Sequence, residues 1–306
     1  MSGPNAPWSK ALEWCGWETI PYDILIDQSH DLSDPAVQAR VLIEIERADA
    51  LLWEMDCNSL TRARERPIAG ERHPPPPLRG KGQHVMGLPA LQDPHRAADL
   101  RKVQKANDLV IFSGKTLAMA HKQGSAIVAE NPRNAYYWLF KCIQYLLTLL
   151  GVFMVEYMAC ALAGARAKKQ SLLTNVEELR TMASVCRHVH AEDEWERTRG
   201  PTGRWEYPTG EEAEFTAELA FGTATRLSFW AVRMGRAKLR LARFPITPTE
   251  TGRRDIMIRL PPSATRLDAM VGMGLRLGLG PPAAIAHHLP RFRSLAEGVE
   301  PSTMTN

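Results

Sequence analysis

The sequence lacks the marks of a secreted or disulfide-stapled protein. Its five cysteines are an odd number and include no Cys-x-x-Cys pair, so a disulfide framework is not expected. The first ten residues have no basic head followed by an apolar stretch, so no secretory signal is expected either. We therefore predict an intracellular protein, nuclear or cytoplasmic, whose thiols stay reduced.

Long hydrophobic runs are also scarce. Residues 143–155 carry no charge, but Lys141 lies just before this run and Glu156 follows it directly. A membrane-spanning helix needs about 20 apolar residues, and this run is shorter. We favour a buried helix end followed by a buried strand, and we expect no membrane partner. A membrane anchor through this segment is the less favoured alternative.

Charge of one sign is not in large excess. Lys and Arg number 38 against 34 acidic residues, and a net charge of +4 neither requires nor excludes a nucleic-acid partner. The distribution is uneven, because residues 226–259 contain nine basic and two acidic residues, whereas residues 186–218 contain nine acidic and four basic ones. We favour two solvent-exposed faces whose opposite charges balance each other. The alternative is a basic arm that tracks phosphates.

The composition and the pattern along the chain are those of a folded α/β protein. The chain has 306 residues, of which 44% are hydrophobic and 24% charged. Helical patterns at residues 9–16, 35–48 and 97–123 alternate with strand patterns at residues 19–23, 50–55, 125–129 and 152–160. This alternation predicts a mostly parallel sheet with helices on both faces. We assign residues 1–230 to this domain, 231–260 to a basic segment and 261–306 to a weakly ordered tail.

Three of the predicted strands end on a polar or reactive side chain. These residues are Asp23, Cys57 and Glu130. In parallel sheets, ligands bind beyond the carboxyl ends of the strands, so the three side chains are candidates for one site. Each also has a plain structural alternative: a turn acid for Asp23, a packed thiol for Cys57 and a helix cap for Glu130.

Short motifs occur in a definite order between residues 2 and 230. They are Ser2-Gly3, Ala11-Leu12-Glu13-Trp14-Cys15-Gly16, Asp23, Asp56-Cys57, Thr61-Arg62-Ala63-Arg64, Pro77-Leu78-Arg79, Gly87-Leu88-Pro89, Glu130-Asn131-Pro132, Lys168-Lys169-Gln170, Thr174-Asn175 and Cys186-x-His188-x-His190. This order resembles the DNA cytosine-5 methyltransferases. It looks most like the methyltransferase-like open reading frames associated with eukaryotic mobile elements.

The resemblance implies a fold and a reaction. The fold is Rossmann-like, and its first strand is expected to be missing because the chain starts at Met1-Ser2-Gly3. The reaction is methyl transfer from S-adenosylmethionine to cytosine in DNA. Cytosine C5 becomes nucleophilic only after a thiolate adds to C6 and an acid at N3 stabilises the displaced charge. Cys57 is implied as the thiolate and Glu130 as the acid.

The resemblance also implies binding residues for the cofactor and for DNA. Ser2 and Gly3 are implied to form the glycine-rich turn beside the cofactor. Asp23 is implied to hydrogen-bond the ribose hydroxyls of the cofactor, and Asp31 is implied to contact its adenine. Further along the chain, basic side chains are implied to bind phosphate or to steady a base flipped out of the duplex; these are Arg62, Arg64 and Arg79.

Several departures from the family pattern predict weakened or lost catalysis. The glycine-rich turn is reduced to Gly3, and Pro21 lies in a predicted internal strand, where it removes a ladder hydrogen bond. Asp56 stands where the family has proline, and a carboxylate beside Cys57 disfavours the reactive thiolate. The alternative function is therefore a non-catalytic nucleic-acid-binding module derived from a mobile element.

A cysteine–histidine segment raises the question of a metal. Cys186, His188 and His190 could share one face if they lie in a strand, but zinc takes four ligands and this segment supplies three. Cys160 or Glu192 could complete the set. At the level of the sequence we favour structural packing, with no metal.

Overall fold

The computed structural model of the chain describes residues 6–55, 59–65, 75–190 and 215–237, and the backbone alone of residues 198–199 and 205–206. The chain divides into two units, residues 1–227 and residues 228–306. The four-stranded sheet lies in the first unit. Of the second unit, residues 228–237 are described, and they begin inside the last helix.

Five α-helices are described, and local sequence signals set their ends. They are α1 (Pro7–Trp14), α2 (Pro35–Ile45), α3 (Ala97–Lys122), α4 (Lys141–Leu146) and α5 (Ala217–Arg233). As expected, Asp34 caps α2: its carboxylate accepts a hydrogen bond from the amide of Ala36 at 2.8 Å. Gly124 ends α3 with a φ of +77°, a conformation that glycine adopts without strain.

The main sheet contains β1 (Ala50–Glu54), β2 (Ala126–Pro132), β3 (Phe153–Met158) and β4 (Lys169–Thr174), in the order β1-β2-β4-β3. Strands β1 and β2 are parallel and are joined through α3, whereas β4 is antiparallel to both β2 and β3. A separate antiparallel pair consists of β5 (Thr198–Arg199) and β6 (Trp205–Glu206).

The expectation of an α/β fold is confirmed, but the expectation of a mostly parallel sheet is wrong. Of the three strand pairings in the main sheet, only that of β1 with β2 is parallel. The connection between β3 and β4 explains the reversal. It comprises residues 159–168, and a parallel crossover needs about a dozen residues or more.

One face of the sheet packs on α3. Ile127, Ala129 and Leu173 are fully buried in the same hydrophobic cluster as Val110 and Leu117 of the helix. Because side chains alternate along a strand, the neighbours of these residues point to the opposite face. That opposite face carries the polar side chains that form the candidate site.

The strand predicted at residues 19–23 is not present. Among the described residues the chain forms no strand before Ala50, and Asp23 instead begins a turn in which its carbonyl oxygen accepts from the amides of Ile26 and Asp27. Pro21 is the physical reason, since proline cannot donate to a strand ladder. Residues 1–5, where a first strand was expected to be missing, lie outside the described residues.

The uncharged run at residues 143–155 has the helix end and strand start favoured from the sequence, but it is only partly buried, since Tyr145 and Leu150 are exposed. It contains the end of α4, a turn and the start of β3. No helix in the described part of the chain is long and apolar enough to cross a membrane.

Candidate functional site

Two carboxyl groups lie side by side on the face of the sheet opposite α3. Glu54 ends β1, and its register partner in the parallel pair is Glu130 of β2. Only 4% of Glu130 is exposed. The phenol of Tyr157, which is also buried, donates to Glu130 Oε1 at 3.5 Å from β3, two strands away.

Burial changes the acidity of this pair. It raises the pKa of Glu130 to about 7, whereas the nearby charge of Lys168 and the hydrogen bond from Tyr157 act in the opposite direction. Burial also raises the pKa of Glu54 to about 8, and the negative charges of Glu130 and Asp23 add to that rise. A large share of Glu130 is therefore protonated at neutral pH, and it can donate a proton or a hydrogen bond.

Asp23 has one satisfied and one unsatisfied carboxylate oxygen. Its side chain is 3% exposed, and Oδ1 accepts from the amide of Leu25 at 2.8 Å. Oδ2 is buried and has no hydrogen-bond partner among the described residues. Burying a carboxylate oxygen without a hydrogen-bond donor costs free energy of folding. The site therefore suits a ligand whose hydroxyl group can donate a hydrogen bond to Asp23 Oδ2.

A cavity of 240 Å³ opens beside Tyr157. Its walls come from the sheet, from the 3₁₀ turn Ala159–Leu162 after β3, and from the start of α5; among the lining residues are Tyr157, Lys168, Gln170, Leu162, Thr216 and Leu219. Gln170 Oε1 is a buried acceptor without a partner in the described part of the chain. This volume is below the range of about 300–1,000 Å³ that is usual for pockets that bind drug-sized ligands.

Arg79 is an internal residue. It is 2% exposed, and burial lowers its pKa to about 10, so it remains charged at neutral pH. Its guanidinium donates to neutral acceptors in three segments: the carbonyl and hydroxyl of Ser59, the carbonyl of Val85, and the Asn107 side chain and Val103 carbonyl of α3. The observed arrangement directs this side chain into the protein and not toward a phosphate.

Arg62 and Arg64 lie in the same region and are half-buried. The guanidinium of Arg62 stacks over the ring of Tyr136 at 5.2 Å, and Arg64 pairs with Asp99 of α3 at 3.4 Å. The Tyr136 hydroxyl donates to the Glu65 carboxylate, and its oxygen also lies 3.1 Å from the Arg79 carbonyl oxygen, a second acceptor for the same proton. These contacts fasten residues 59–65, which follow the expected Cys57 loop, to the body of the domain.

Asp31 is engaged by its own turn. Oδ1 accepts from the amide and hydroxyl of Ser33 at 2.9 and 2.7 Å, and Lys105 of α3 pairs with the carboxylate at 3.2 Å. The amide of Ser33 is the main cause that lowers the pKa of Asp31. A contact from Asp31 to an adenine therefore requires that part of this network open.

Three of the predicted site residues lie outside the described residues: Ser2, Gly3 and Cys57. In the sequence, Cys57 follows Glu54, the last residue of β1, by three positions. Glu54 is the register partner of Glu130, so β1 ends at the level of the sheet where Glu130 lies.

A second cluster joins Cys186, His188 and His190 to Cys160. One ligand atom from each residue lies within 4.8 Å of the other three. The segment that carries the first three is irregular and not a strand, yet Cys186 Sγ lies 3.0 Å from His190 Nε2 and 3.9 Å from His188 Nδ1. Glu192, the other residue considered for this set, lies outside the described residues.

Sequence reasoning missed Glu54 and Tyr157 as members of the candidate site, and it gave Lys168 no role. A carboxylate between Trp53 and Met55, in an otherwise apolar strand, was a usable signal for Glu54. Tyr157 carried no such signal, because a tyrosine in a strand is ordinary.

No protein-family model, curated protein or solved structure matches the chain. The proposals below are therefore argued from the residues themselves, their contacts and the order of their motifs.

Proposed function

We propose that residues 1–230 form a cytosine-5 methyltransferase-like domain derived from a mobile element, with a Rossmann-like ancestry, whose methyl transfer is slow or lost. The observation that supports it most is the parallel pairing of β1 with β2. This pairing brings the chain that enters the Asp56-Cys57 loop to the end of the sheet that holds the protonatable Glu130.

Each residue of the proposed site has a separate task. The thiolate of Cys57 adds to C6 of the cytosine, and Glu130 donates to N3 and stabilises the charge that enters the ring. S-adenosylmethionine supplies the methyl group. Its transfer to C5 would break the bond to the sulfonium sulfur and leave S-adenosylhomocysteine. Loss of the C5 proton to water would then let the ring electrons expel the thiolate, return the N3 proton to Glu130 and restore Cys57.

Asp23 is the described residue that best fits the cofactor. Its buried Oδ2, which has no donor among the described residues, suits a ribose hydroxyl. Asp56 precedes Cys57 in the sequence, where the family that the chain resembles has proline. Because a carboxylate beside a thiol disfavours the thiolate, we expect slower transfer than in that family.

Cofactor binding is tested by equilibrium titration of the full chain with S-adenosylmethionine. We expect micromolar affinity, reduced at least about tenfold in Asp23→Asn, a variant that keeps the size of the side chain. Asp27→Asn is the matched control, because Asp27 belongs to the same turn and is exposed. A folded protein that does not bind the cofactor would contradict the proposal.

Methyl transfer is tested by incorporation of labelled methyl groups into cytosine-containing DNA. We expect Cys57→Ser to abolish any transfer and Cys15→Ser to leave it unchanged. Methylation that persists in Cys57→Ser would remove Cys57 as the nucleophile. Cofactor binding without transfer would support a domain that has kept its pocket and lost its catalysis.

A second candidate is a nucleic-acid-binding module that does not use Cys57. The basic segment at residues 226–259 favours it, but the structure removes one of its charges from the surface. Arg226 is buried in α5, donates to Thr181 Oγ1 at 2.6 Å and to the Gly222 carbonyl at 3.0 Å, and burial lowers its pKa to about 10. Residues 233–259 carry the remaining eight basic side chains.

A further inference from the structure

The four side chains of the cysteine–histidine cluster come from two separate segments. Cys160 is buried in the turn Ala159–Leu162, directly after β3, and the other three lie in residues 186–190. Their ligand atoms lie within 4.8 Å of one another. Around a tetrahedral zinc ion, sulfur at about 2.3 Å and nitrogen at about 2.0–2.1 Å place neighbouring ligand atoms about 3.3–3.8 Å apart, so small side-chain movements suffice.

We propose that Cys160, Cys186, His188 and His190 bind one structural Zn²⁺ ion. Two thiolates and two imidazoles are a donor set that zinc prefers, and four protein ligands fill its tetrahedral shell. No position remains for a substrate, which makes the site structural and not catalytic. The His188 ligand atom nearest Cys186 is Nδ1, and that of His190 is Nε2.

The packing around residues 183–190 favours a metal over simple burial. Val185 is 71% exposed and Val189 is fully exposed, while Cys186, His188 and His190 converge on Cys160. A segment held by hydrophobic packing turns its valines inward. Here both valines face solvent, as His188 also does, and yet the thiol and imidazole ligand atoms lie together. This segment therefore needs an anchor other than an apolar core, and a metal provides one.

The proposed ion lies close to an edge of the main sheet, where an uncovered strand could pair with another chain. Among the described strands, β3 lies at an edge of the main sheet, and Ser184 lies beside it: the amide of Ser184 donates to the Glu156 carbonyl at 3.3 Å, and the amide of Met158 donates to Ser184 Oγ at 3.2 Å. The ion would hold this segment against the edge strand and block pairing with another chain.

The same ion would also stiffen one wall of the cavity. Ala159 and Leu162 line the cavity and belong to the turn that contains Cys160. The proposal does not depend on methyltransferase function, because it rests on the ligand set and its packing alone.

The test is metal content and metal binding of the full chain, purified and kept under reductant. Elemental analysis is expected to find one equivalent of zinc per chain. Replacement by Co²⁺ is expected to give the visible bands of tetrahedral cobalt together with a thiolate-to-cobalt charge-transfer band. Less than half an equivalent after refolding in zinc, or a cobalt spectrum of six-coordinate type, would overturn the proposal.

Variants separate ligation from folding. Cys160→Ser and Cys186→Ser are expected to lower zinc affinity by roughly a hundredfold or more, whereas Cys15→Ser, a thiol outside the cluster, is expected to bind as the parent does. His190→Cys replaces one zinc ligand by another and is expected to keep the ion, while His190→Gln loses it. Equal affinity in all of these variants would overturn the proposal. So would a Cys160–Cys186 disulfide in a chain that takes up no zinc once reduced.

Discussion

Glu130 is a carboxyl group whose neutral form the fold favours. Its backbone belongs to the central part of the sheet, its side chain is 4% exposed, and its neighbours include the carboxyl group of Glu54 and the charge of Lys168. The same environment that would let it act as an acid at N3 makes its ionisation costly to the folded state.

Stability is therefore expected to fall as pH rises. The folded-state pKa of Glu130 is about 7 against 4.5 unperturbed, so between these values the folded state binds more protons than the unfolded one. The free energy of unfolding thus decreases across this window, by on the order of 3 kcal/mol from this group. In Glu130→Gln, which stays neutral, denaturant titrations from pH 4 to pH 8 should show a shallower decrease.

Part of the decrease should survive in this variant, because burial also raises the pKa of Glu54 to about 8. Glu46→Gln is the control, since Glu46 is exposed at the end of α2 and its replacement should leave the pH dependence intact. A Glu130→Gln curve parallel to that of the parent would show that Glu130 is ionised throughout, and the proposed acid would be lost.

At the scale of elements, Arg79 joins segments that have little secondary structure to α3. Its hydrogen bonds go to Ser59, to Val85 and to Asn107 and Val103 of the helix, so one guanidinium satisfies buried acceptors in three places. Asn107 continues the connection by donating to the Met86 carbonyl at 2.8 Å. Arg79 thus adds several buried hydrogen bonds to the contacts of Arg62, Arg64 and Tyr136 that hold residues 59–65 in place.

Arg79→Ala is expected to lower the free energy of unfolding by about 3–5 kcal/mol, because it leaves several buried acceptors without donors and opens a cavity. Arg79→Lys should recover only part of this loss, since an ammonium group cannot reproduce the planar fork. Arg101→Ala, on the exposed side of α3, is the matched control and should change stability by less than about 0.5 kcal/mol.

Thermal or chemical denaturation of these variants measures the difference. A loss below about 1 kcal/mol in Arg79→Ala would mean that Arg79 is not held internally, and its predicted contact with phosphate would then regain support.

At the scale of the whole molecule, the salt dependence of DNA binding distinguishes the two candidate functions. The net charge is only +4, but eight basic residues between residues 233 and 259 oppose two acidic ones. If this segment binds DNA, the affinity should fall with salt, with a log–log slope of about −0.9 for each phosphate neutralised and thus no steeper than about −7. Fluorescence anisotropy on a labelled duplex at several salt concentrations measures this slope.

Charge removal within the segment provides the control. Arg240→Ala with Arg243→Ala should make the slope shallower by about 2, while Lys115→Ala with Lys122→Ala removes the same charge from exposed positions of α3 and should leave it unchanged. Cys57→Ser should bind as the parent does. Binding that does not depend on salt would exclude the basic segment as the contact.

Local signals in the sequence were enough to locate most elements. Asp34-Pro35 predicted the start of α2, and Gly124 the end of α3, because caps and left-handed turns depend on neighbouring residues alone. The apolar runs that became β1, β2 and β3 were also found at nearly the right bounds. These elements together predicted the α/β class, which the structure confirms.

The prediction of a mostly parallel sheet failed because strand direction is not a local property. Nothing in residues 169–174 distinguishes a parallel from an antiparallel strand; the ten-residue connection to β3 and the position beside β2 decide it. The burial of Arg79 is not a local property either. Its sequence position predicts a basic loop residue, and only the folded structure brings its hydrogen-bond acceptors around the guanidinium.

The sequence by itself determined the positions of α1, α2 and α3, of the apolar strands β1, β2 and β3, and the Cys-x-His-x-His spacing, since all of these depend on residues close together in the chain. Only the tertiary structure decided that Cys160 joins that cluster, that Glu54 lies beside Glu130, and that Asp23 keeps a buried oxygen without a donor among the described residues. The physical reason is that burial and strand pairing depend on residues that are distant in the chain. They determine which side chains are removed from solvent and which side chains come into contact.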